Sequence, residues 1–408
     1  MKKLYKLLIC SISLFSLCSC TKYHKFKEVE EYIYETDTYT ELDYDFVDNY
    51  FATTNDNWGG GCSAISMIIN GNRVVGRNMD LNISNKCAYI VRTNVEDKYE
   101  TMGLSYTFRD ISPDYKVAKR KGINDTYYKI LPFMCDDVIN SEGLHVELNM
   151  RNAEWLPNGM DLFACSGTNP EALHRVYMFE LCQYIALNCK NIEEVKTYVN
   201  SLDIYSQEHY WNYCFLISDA NNDAILLEFA RDEIYWIEPD ENGVIAHTNF
   251  YLNGVCYALQ EIKTGLGRYN ELISYVQENK LRNKNDLMEL MKKIQYSSFY
   301  LDYDECKNEH FDPRSENIMT LWWASSSILL SDEFEYLYRE ISNEYTSEIR
   351  KMTRQEKQDA NEYWESTFTE VVDCKEKIIW VRFFEDDDKV YRITFNDYRK
   401  IVKTESIF

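Results

Sequence analysis

The sequence predicts an α+β fold in which antiparallel sheets are flanked by helices. Strand-like segments, helix-like segments, strands, helices and strands again follow one another along the chain. The strand-like segments are short, alternate apolar and polar residues and are separated by Asn/Gly turns, whereas the longer apolar segments repeat with helical spacing. This order is typical of domains in which helices cover antiparallel sheets.

The composition limits the class of partner. The 408 residues are 45% hydrophobic and carry a formal net charge of −23. A chain of this length forms one large domain or two ordinary ones, with enough apolar residues for a substantial core. The negative charge disfavours nucleic acid as a partner and disfavours charge-driven binding to anionic membranes.

Residues 1–19 have the pattern of a signal peptide. A Lys-rich start precedes an apolar stretch at residues 7–17, which is too short to span a bilayer. The stretch ends in Leu-Cys-Ser-Cys, which resembles a bacterial lipobox with Cys20 as the lipidated residue. The alternative is an ordinary secretory signal with incidental cysteines. We therefore expect export and a lipid anchor on Cys20 at the extracytoplasmic face of the bacterial cell membrane.

Residues 20–61 are acidic, with interleaved tyrosines. Nine acidic residues lie between Glu28 and Asp48. The composition favours a stalk, a propeptide or both, and a solvated, partly disordered linker is compatible with either. The folded domain is expected to span residues 62–408.

Two hairpins are expected early in that domain. The segments CSAISMII and NRVVGRN predict two strands joined by the turn Asn70-Gly71-Asn72. A second turn at residues 140–143 leads to a strand over Leu144–Asn149.

Helices and strands alternate in the rest of the chain. Apolar residues have helical spacing over residues 170–189, and Asn191 is a suitable N-cap for a second helix. Strands are expected within residues 213–250, and helical structure from Gly267 to about Ile294.

The last third contains an expected insertion. Residues 331–367 are charged, rich in Tyr and Glu, and lack strand alternation, so they predict a helical insertion. Residues 374–395 then predict a closing hairpin, with the acidic run EDDD at its turn rather than a Ca²⁺ site.

The cysteines give no metal pattern. No Cys-x-x-Cys pair occurs among the ten that follow the signal region, so neither a zinc site nor a redox motif has local support, and no cofactor is predicted. Most are expected to be small buried apolar residues, although an exported protein can oxidise some of them. The ten cysteines after the signal region are Cys62, Cys87, Cys135, Cys165, Cys182, Cys189, Cys214, Cys256, Cys306 and Cys374.

Cys62 differs because it follows three glycines and begins a strand. As the first residue of a mature chain, it could use its own α-amino group, with a reference pKa of about 7.7–8, as general base. That amine exists only if the Gly61–Cys62 bond is cut, and glycine obstructs attack on that bond least. On the paired strand, Arg77 could stabilise the thiolate and Asp80 could orient the amine. A surface Arg–Asp pair is the alternative.

These residues resemble the motifs of the choloylglycine hydrolase family of N-terminal-nucleophile (Ntn) hydrolases, which includes penicillin V acylases and is related to acid ceramidase-like amidases. Cys62 is followed by the family's Gly-Arg-Asn-x-Asp at residues 76–80. The segment INSEGLHVELNM resembles its Asn-Glu-x-Gly-Leu turn, with one inserted serine, and ends near Asn149. NGVIAHTNF resembles its Thr-Asn landmark at Asn249, and Arg268 begins a long helix in GLGRYNELISYV.

The resemblance covers about residues 62–395 outside the insertion. It implies an Ntn four-layer αββα sandwich of antiparallel sheets, and acyl transfer from a linear N-acyl amide to Cys62. Asn249 and Asn149 would stabilise the oxyanion, and Arg77 and Arg268 would provide a positive field. The implied catalytic set is Cys62, Arg77, Asp80, Asn149, Asn249 and Arg268.

The substrate is not fixed by these motifs. The segment between Asn249 and Arg268 is short for a bile-salt hydrolase, which disfavours bile salts, and His247-Thr248-Asn249 is closer to the penicillin acyltransferases. An N-acyltransferase on the same scaffold and a catalytically silent binding lipoprotein are the alternatives. The expected partners are a small N-acyl amide and the membrane, but no nucleic acid, and a homo-oligomer stays open.

Overall fold

The computed structural model describes residues 27–30, 33–36, 40–53, 61–82, 88–106, 125–152, 165–206, 211–259, 265–295, 364–384, 389–396 and 400–403. The predicted signal peptide, Cys20 and residues 331–363 of the predicted insertion lie outside these ranges. Within them, no helix is both long enough and apolar enough to cross a bilayer.

Most strands belong to two sheets. The strands are β1 Lys27–Glu30, β2 Ile33–Glu35, β3 Gly61–Ile69, β4 Asn72–Asn82, β5 Ala88–Thr93, β6 Thr101–Tyr106, β7 Asp137–Asn140, β8 His145–Asn152, β9 Arg175–Tyr177, β10 Asp203–Tyr205, β11 Trp211–Ser218, β12 Ala224–Ala230, β13 Glu233–Ile237, β14 Ile245–His247, β15 Trp364–Asp373, β16 Ile378–Phe383, β17 Lys389–Thr394 and β18 Lys400–Lys403. One sheet has the order β1-β2-β5-β6-β7-β8-β11-β12-β13 and the other β14-β3-β4-β15-β16-β17-β18. Both are antiparallel except for the β2–β5 pair, and β9 pairs with β10 separately.

The described residues include seven helices, most of which pack on the outer faces of the two sheets. They are α1 Tyr44–Thr53, α2 Asp125–Ile130, α3 Leu181–Asn188, α4 Ile192–Asn200, α5 Gly254–Leu259, α6 Leu266–Glu278 and α7 Lys284–Lys293, with short 3₁₀ turns at Leu131–Met134 and Met178–Glu180.

Three apolar clusters define four layers. One cluster joins α3 and α4 to the nine-stranded sheet, for example Ile185 with Val146. A second fills the space between the sheets, where Val75 lies with Leu216. The third joins α6 and α7 to the seven-stranded sheet. The predicted αββα sandwich of antiparallel sheets is therefore confirmed.

Local signals place several elements as expected. Asn70 and Gly71 both have positive φ, 53° and 83°, which the tight turn between β3 and β4 requires. Asn191 caps α4 by accepting a hydrogen bond from Glu194 N at 2.9 Å. The closing hairpin is confirmed as β16 and β17.

The motif glycine Gly76 has a packing reason. A Cβ at this position would lie 2.8 Å from Met291 Cγ and 3.0 Å from Leu287 Cγ, both on α7. Glycine therefore lets α7 pack directly on β4, next to the strand residues that carry the site.

Three expectations are wrong in part. The described parts of residues 20–61 are not a solvated linker, because β1 and β2 extend the nine-stranded sheet and α1 packs on it. The helix expected over residues 170–189 is helical only from Met178, after strand β9. Strand β15 begins at Trp364, so residues 364–367 do not belong to a helical insertion.

Candidate active site

Cys62 lies on β3, beside the edge strand β14 and opposite Met79 on β4. Its side chain faces the space between the sheets and is 2% exposed. The Sγ atom lies 3.6 Å from Met79 Sδ and 3.8 Å from Arg77 Nη2. Burial raises the pKa of the Cys62 thiol to about 12, and the charge of Arg77 opposes this rise. In the intact chain the thiol is therefore protonated and shielded.

The backbone of Cys62 is held by two predicted site residues. Cys62 N donates to Asn249 Oδ1 at 3.2 Å, and Arg268 Nη1 donates to Cys62 O at 3.0 Å. Arg268 also donates to Asn249 Oδ1 at 3.0 Å and pairs with Asp80 Oδ2 at 3.1 Å. Ser366 hydroxyl donates to the other oxygen of Asp80. One connected set of side chains thus fixes the position of the peptide nitrogen that a cut would free.

Arg77 is the centre of a buried ion network. Its Nε atom lies 2.6 Å from Glu147 Oε2, and its Nη1 contacts the Asp137 carboxylate. Nη2 also donates to the carbonyl oxygen of Leu148. All three ionised side chains are at most 1% exposed, so each depends on the others for compensation of its charge. The network aims one guanidinium edge at the Cys62 sulfur.

Asn149 reaches Cys62 through Arg77. Arg77 Nε lies 3.3 Å from the Asn149 side-chain oxygen. With the amide turned, its nitrogen instead donates to Glu147 Oε2 at 3.2 Å and its oxygen accepts from His247 Nδ1 at 3.3 Å. In either orientation Asn149 lies within the network of Arg77, Glu147 and His247.

His247 belongs to the same network, and its neighbours were not predicted. Its Nε2 contacts Glu147, and its Nδ1 lies 3.1 Å from Cys214 Sγ. Burial lowers the pKa of His247, and the adjacent Glu147 opposes this. His247 is thus a buried side chain with partners at both ring nitrogens.

A group of metal-ligating types lies on the far side of Arg77. His145 Nε2 is 3.5 Å from Asp137 Oδ1 and 3.6 Å from Glu370 Oε1, and all three residues are buried. One donor atom from each lies within 4.8 Å of the others, so the group could hold a cation. Arg77 already provides a positive charge at Asp137, so this group extends the ion network around Arg77.

The cysteines in the described residues form no disulfide. All are buried with free thiols: Cys62, Cys135, Cys165, Cys182, Cys189, Cys214, Cys256 and Cys374. What distinguishes Cys62 from the others is its contact with Arg77 and the hold on its backbone by Asn249 and Arg268.

Asp136 gives the site a pH-dependent neighbour. It is 1% exposed, and neither carboxylate oxygen has a hydrogen-bond partner among the described residues. Burial raises its pKa to about 8, against the charge of Arg77. The folded state therefore holds this proton more tightly than the unfolded state, and stability falls as pH rises from about 4 to about 8.

We expect Asp136→Asn to be more stable than the wild type near pH 8, by on the order of 2 kcal/mol, because a neutral amide is less costly to bury than a carboxylate. The difference should shrink as pH falls toward 4. Melting temperatures measured across this range test it, and a difference that does not grow with pH would contradict it.

The other five predicted catalytic residues all lie around Cys62, whereas Cys20 lies outside the described residues. Three contact Cys62 directly, Asn149 is linked to it through Arg77, and Asp80 is linked to it through Arg268. Asp137, Glu147 and Ser366 were missed. Glu147 could have been found, because it lies two residues before Asn149 on one strand and so shares its face. Ser366 was assigned to the insertion.

No protein-family model and no curated protein matches the chain. Among solved structures, it is similar to a mutant of the conjugated bile acid hydrolase from Clostridium perfringens, with 13% identity and a TM-score of 0.42 over 84% of this chain and 96% of that one. A second variant of that enzyme is 14% identical, with a TM-score of 0.41 over 84% of this chain and 97% of that one. Penicillin V acylase from Agrobacterium tumefaciens is 15% identical, with a TM-score of 0.38 over 82% of this chain and 86% of that one.

Proposed function

We propose that this protein is an Ntn cysteine amidase of the choloylglycine hydrolase type, which hydrolyses the C–N bond of a linear N-acyl amide. The observation that carries the proposal is the setting of Cys62. Its backbone nitrogen contacts Asn249, its carbonyl contacts Arg268, and its sulfur faces Arg77. Seven other cysteines of the described residues are buried and free without this combination.

Maturation is the first step of the proposal. Cys62 Sγ attacks the Gly61 carbonyl carbon, the Gly61–Cys62 C–N bond breaks, and a thioester and a free α-amine result. Water then hydrolyses the thioester, leaving a carboxylate on Gly61 and the thiol on Cys62. Asn249 Oδ1, which accepts from Cys62 N in the intact chain, is placed to orient the new amine.

The catalytic cycle uses that amine as general base. The α-amino group takes the thiol proton, Sγ bonds to the substrate carbonyl carbon, and the α-ammonium returns the proton to the leaving amine as the C–N bond breaks. Water hydrolyses the thioester to a carboxylic acid and restores the thiol. Asn249 and Asn149 amide N–H groups are the proposed oxyanion donors, each worth about 3–4 kcal/mol in such roles. Arg77 favours the thiolate by its charge.

The proposal extends to location. The pattern around Cys20 supports export and a lipid anchor on the extracytoplasmic face of the membrane. The N-acyltransferase alternative uses the same acyl-enzyme, with an amine in place of water as acceptor.

The test is the acyl-enzyme itself. Purified mature protein is incubated with conjugated bile salts, penicillin V, N-acyl amino acids and N-acyl homoserine lactones. Each reaction is quenched in acid, and the protein and its proteolytic peptides are analysed by mass spectrometry. We expect one substrate class to add its acyl mass to a peptide that contains Cys62, with release of the amine. Added amine acceptors that become acylated would indicate the transferase instead. Turnover without an adduct on Cys62 would contradict the mechanism.

A further inference from the structure

The described part of residues 27–53 is called the N-terminal segment. It packs into two apolar cores, the one between the two sheets and the one between the helices and the nine-stranded sheet. Strand β2 lies parallel to β5 with Ile33 opposite Ala88, and Thr36 N donates to Ile90 O at 3.1 Å. The Ile33 side chain is 4% exposed and belongs to the core between the two sheets. The segment thus completes one edge of the nine-stranded sheet.

Helix α1 adds a second apolar contact. Val47 is fully buried within the cluster that joins α3 and α4 to the sheet. The Tyr44 ring lies 5.8 Å from the Phe133 ring and 5.7 Å from the Tyr184 ring, measured between centroids. Aromatic contacts of this kind stabilise a complex beyond the area that they bury.

Polar contacts fix the orientation of α1. Tyr184 hydroxyl donates to Asp48 Oδ1 at 2.8 Å, and His174 Nε2 lies 3.4 Å from Asp48 Oδ2. Just before the start of the helix, Lys129 Nζ lies 3.1 Å from Asp43 Oδ2. The segment therefore meets the catalytic part of the chain through an apolar centre with a polar rim, which is the composition of a stable protein interface.

No covalent bond would hold the two parts after a cut at Gly61–Cys62. Residues 21–61 contain no cysteine, so no disulfide can join this stretch to the rest of the chain. Only the contacts above would remain.

We propose that the N-terminal segment stays bound after cleavage as a small second subunit, and that the lipid on Cys20 holds the catalytic chain at the membrane through this interface. The inference rests on the proposed function for the cut itself. Its physical basis is independent of the cut, because the contacts of Ile33, Val47 and Asp48 do not involve the Gly61–Cys62 bond. The mature enzyme is thus a two-chain protein.

The interface can be tested without self-cleavage. Residues 54–60 are replaced by the recognition site of an added protease in the full-length Cys62→Ala chain, which is then cut and passed over a sizing column. We expect the two pieces to elute together under native conditions and separately in denaturant. Elution of two separate pieces under native conditions would overturn the proposal.

Val47→Asp places an unpaired charge in the buried centre of the interface, so we expect the bound fraction of the cut N-terminal piece to fall by more than about tenfold. Thr40→Asp adds the same charge to the same segment at an exposed position and should leave the bound fraction unchanged. Equal retention in both variants would mean that Val47 does not hold the interface.

In cells, Cys20→Ala should move both chains together from the membrane to the soluble exported fraction. A catalytic chain that is soluble while its segment stays in the membrane would overturn the second-subunit proposal. An active enzyme that is never cut before Cys62 would instead contradict the proposed function, and the protease-cut chain would still decide whether the segment is retained.

Discussion

Cys62→Ala should remain a folded, uncut chain with no amide hydrolysis. The side chain it removes is the nucleophile of both the maturation step and the catalytic cycle, so both should fail together. We expect turnover to fall by more than about 10⁴-fold, as for other enzymes that lose the nucleophile. N-terminal sequencing should find Cys62 as the first residue of the wild-type catalytic chain, whereas the variant should still contain the Gly61–Cys62 bond.

Cys374→Ala is the matched control, because Cys374 is fully buried in the same core between the sheets but directly follows β15, outside the Cys62 network. It should mature and turn over normally. Wild-type activity in a chain that still begins before Gly61 would exclude the α-amine as general base. Residual turnover by Cys62→Ala on a wild-type substrate would exclude Cys62 as nucleophile.

Alkylation by iodoacetamide is a second test of the proposed maturation. The Cys62 thiol is 2% exposed and its pKa is raised to about 12 in the intact chain, so the uncut chain should react slowly. The mature chain should react fastest at Cys62. The difference would show that cleavage changes the state of the thiol and does more than release a leader.

Local chemistry made much of the fold predictable. The turn at Asn70-Gly71 needs two positive φ angles, and the cap at Asn191 needs a short polar side chain. The residue types at these positions therefore indicate both features. The motif residues around Cys62 were instead expected from the resemblance to the family's motifs, and the structure supplies a physical reason for some of them. Gly76 is needed for the close approach of α7, and Asp80 and Arg268 for one ion pair.

Non-local contacts were not predictable from the sequence alone. Strand β2 has three residues and lies in an acidic, tyrosine-rich stretch, so no alternation marks it. Its place is set by the free edge of β5, which lies more than fifty residues along the chain. Likewise, alternation puts His145, Glu147 and Asn149 on one face of β8, but the sequence does not say that this face lies between two sheets. From the sequence alone, a strand face that carries an acidic residue would be expected to face solvent.

Substitution of Arg77 should affect stability and catalysis together. Arg77→Met leaves Glu147 and Asp137 buried without their shared cation, which we expect to cost about 3–5 kcal/mol in unfolding free energy. It also removes the positive charge 3.8 Å from Cys62 Sγ, so any folded fraction should acylate slowly. Denaturant unfolding and single-turnover acylation measure the two effects separately.

The double variant Arg77→Met/Glu147→Gln separates the two roles of this residue. Removal of one buried carboxylate should restore part of the lost stability, because one fewer charge is left uncompensated, while acylation should remain slow. Arg382→Met is the matched control, since that buried arginine pairs with Glu289, which is 52% exposed and stays hydrated, and a loss of only about 1 kcal/mol is expected. Full recovery of acylation in the double variant would mean that Arg77 only holds the fold and does not stabilise the thiolate.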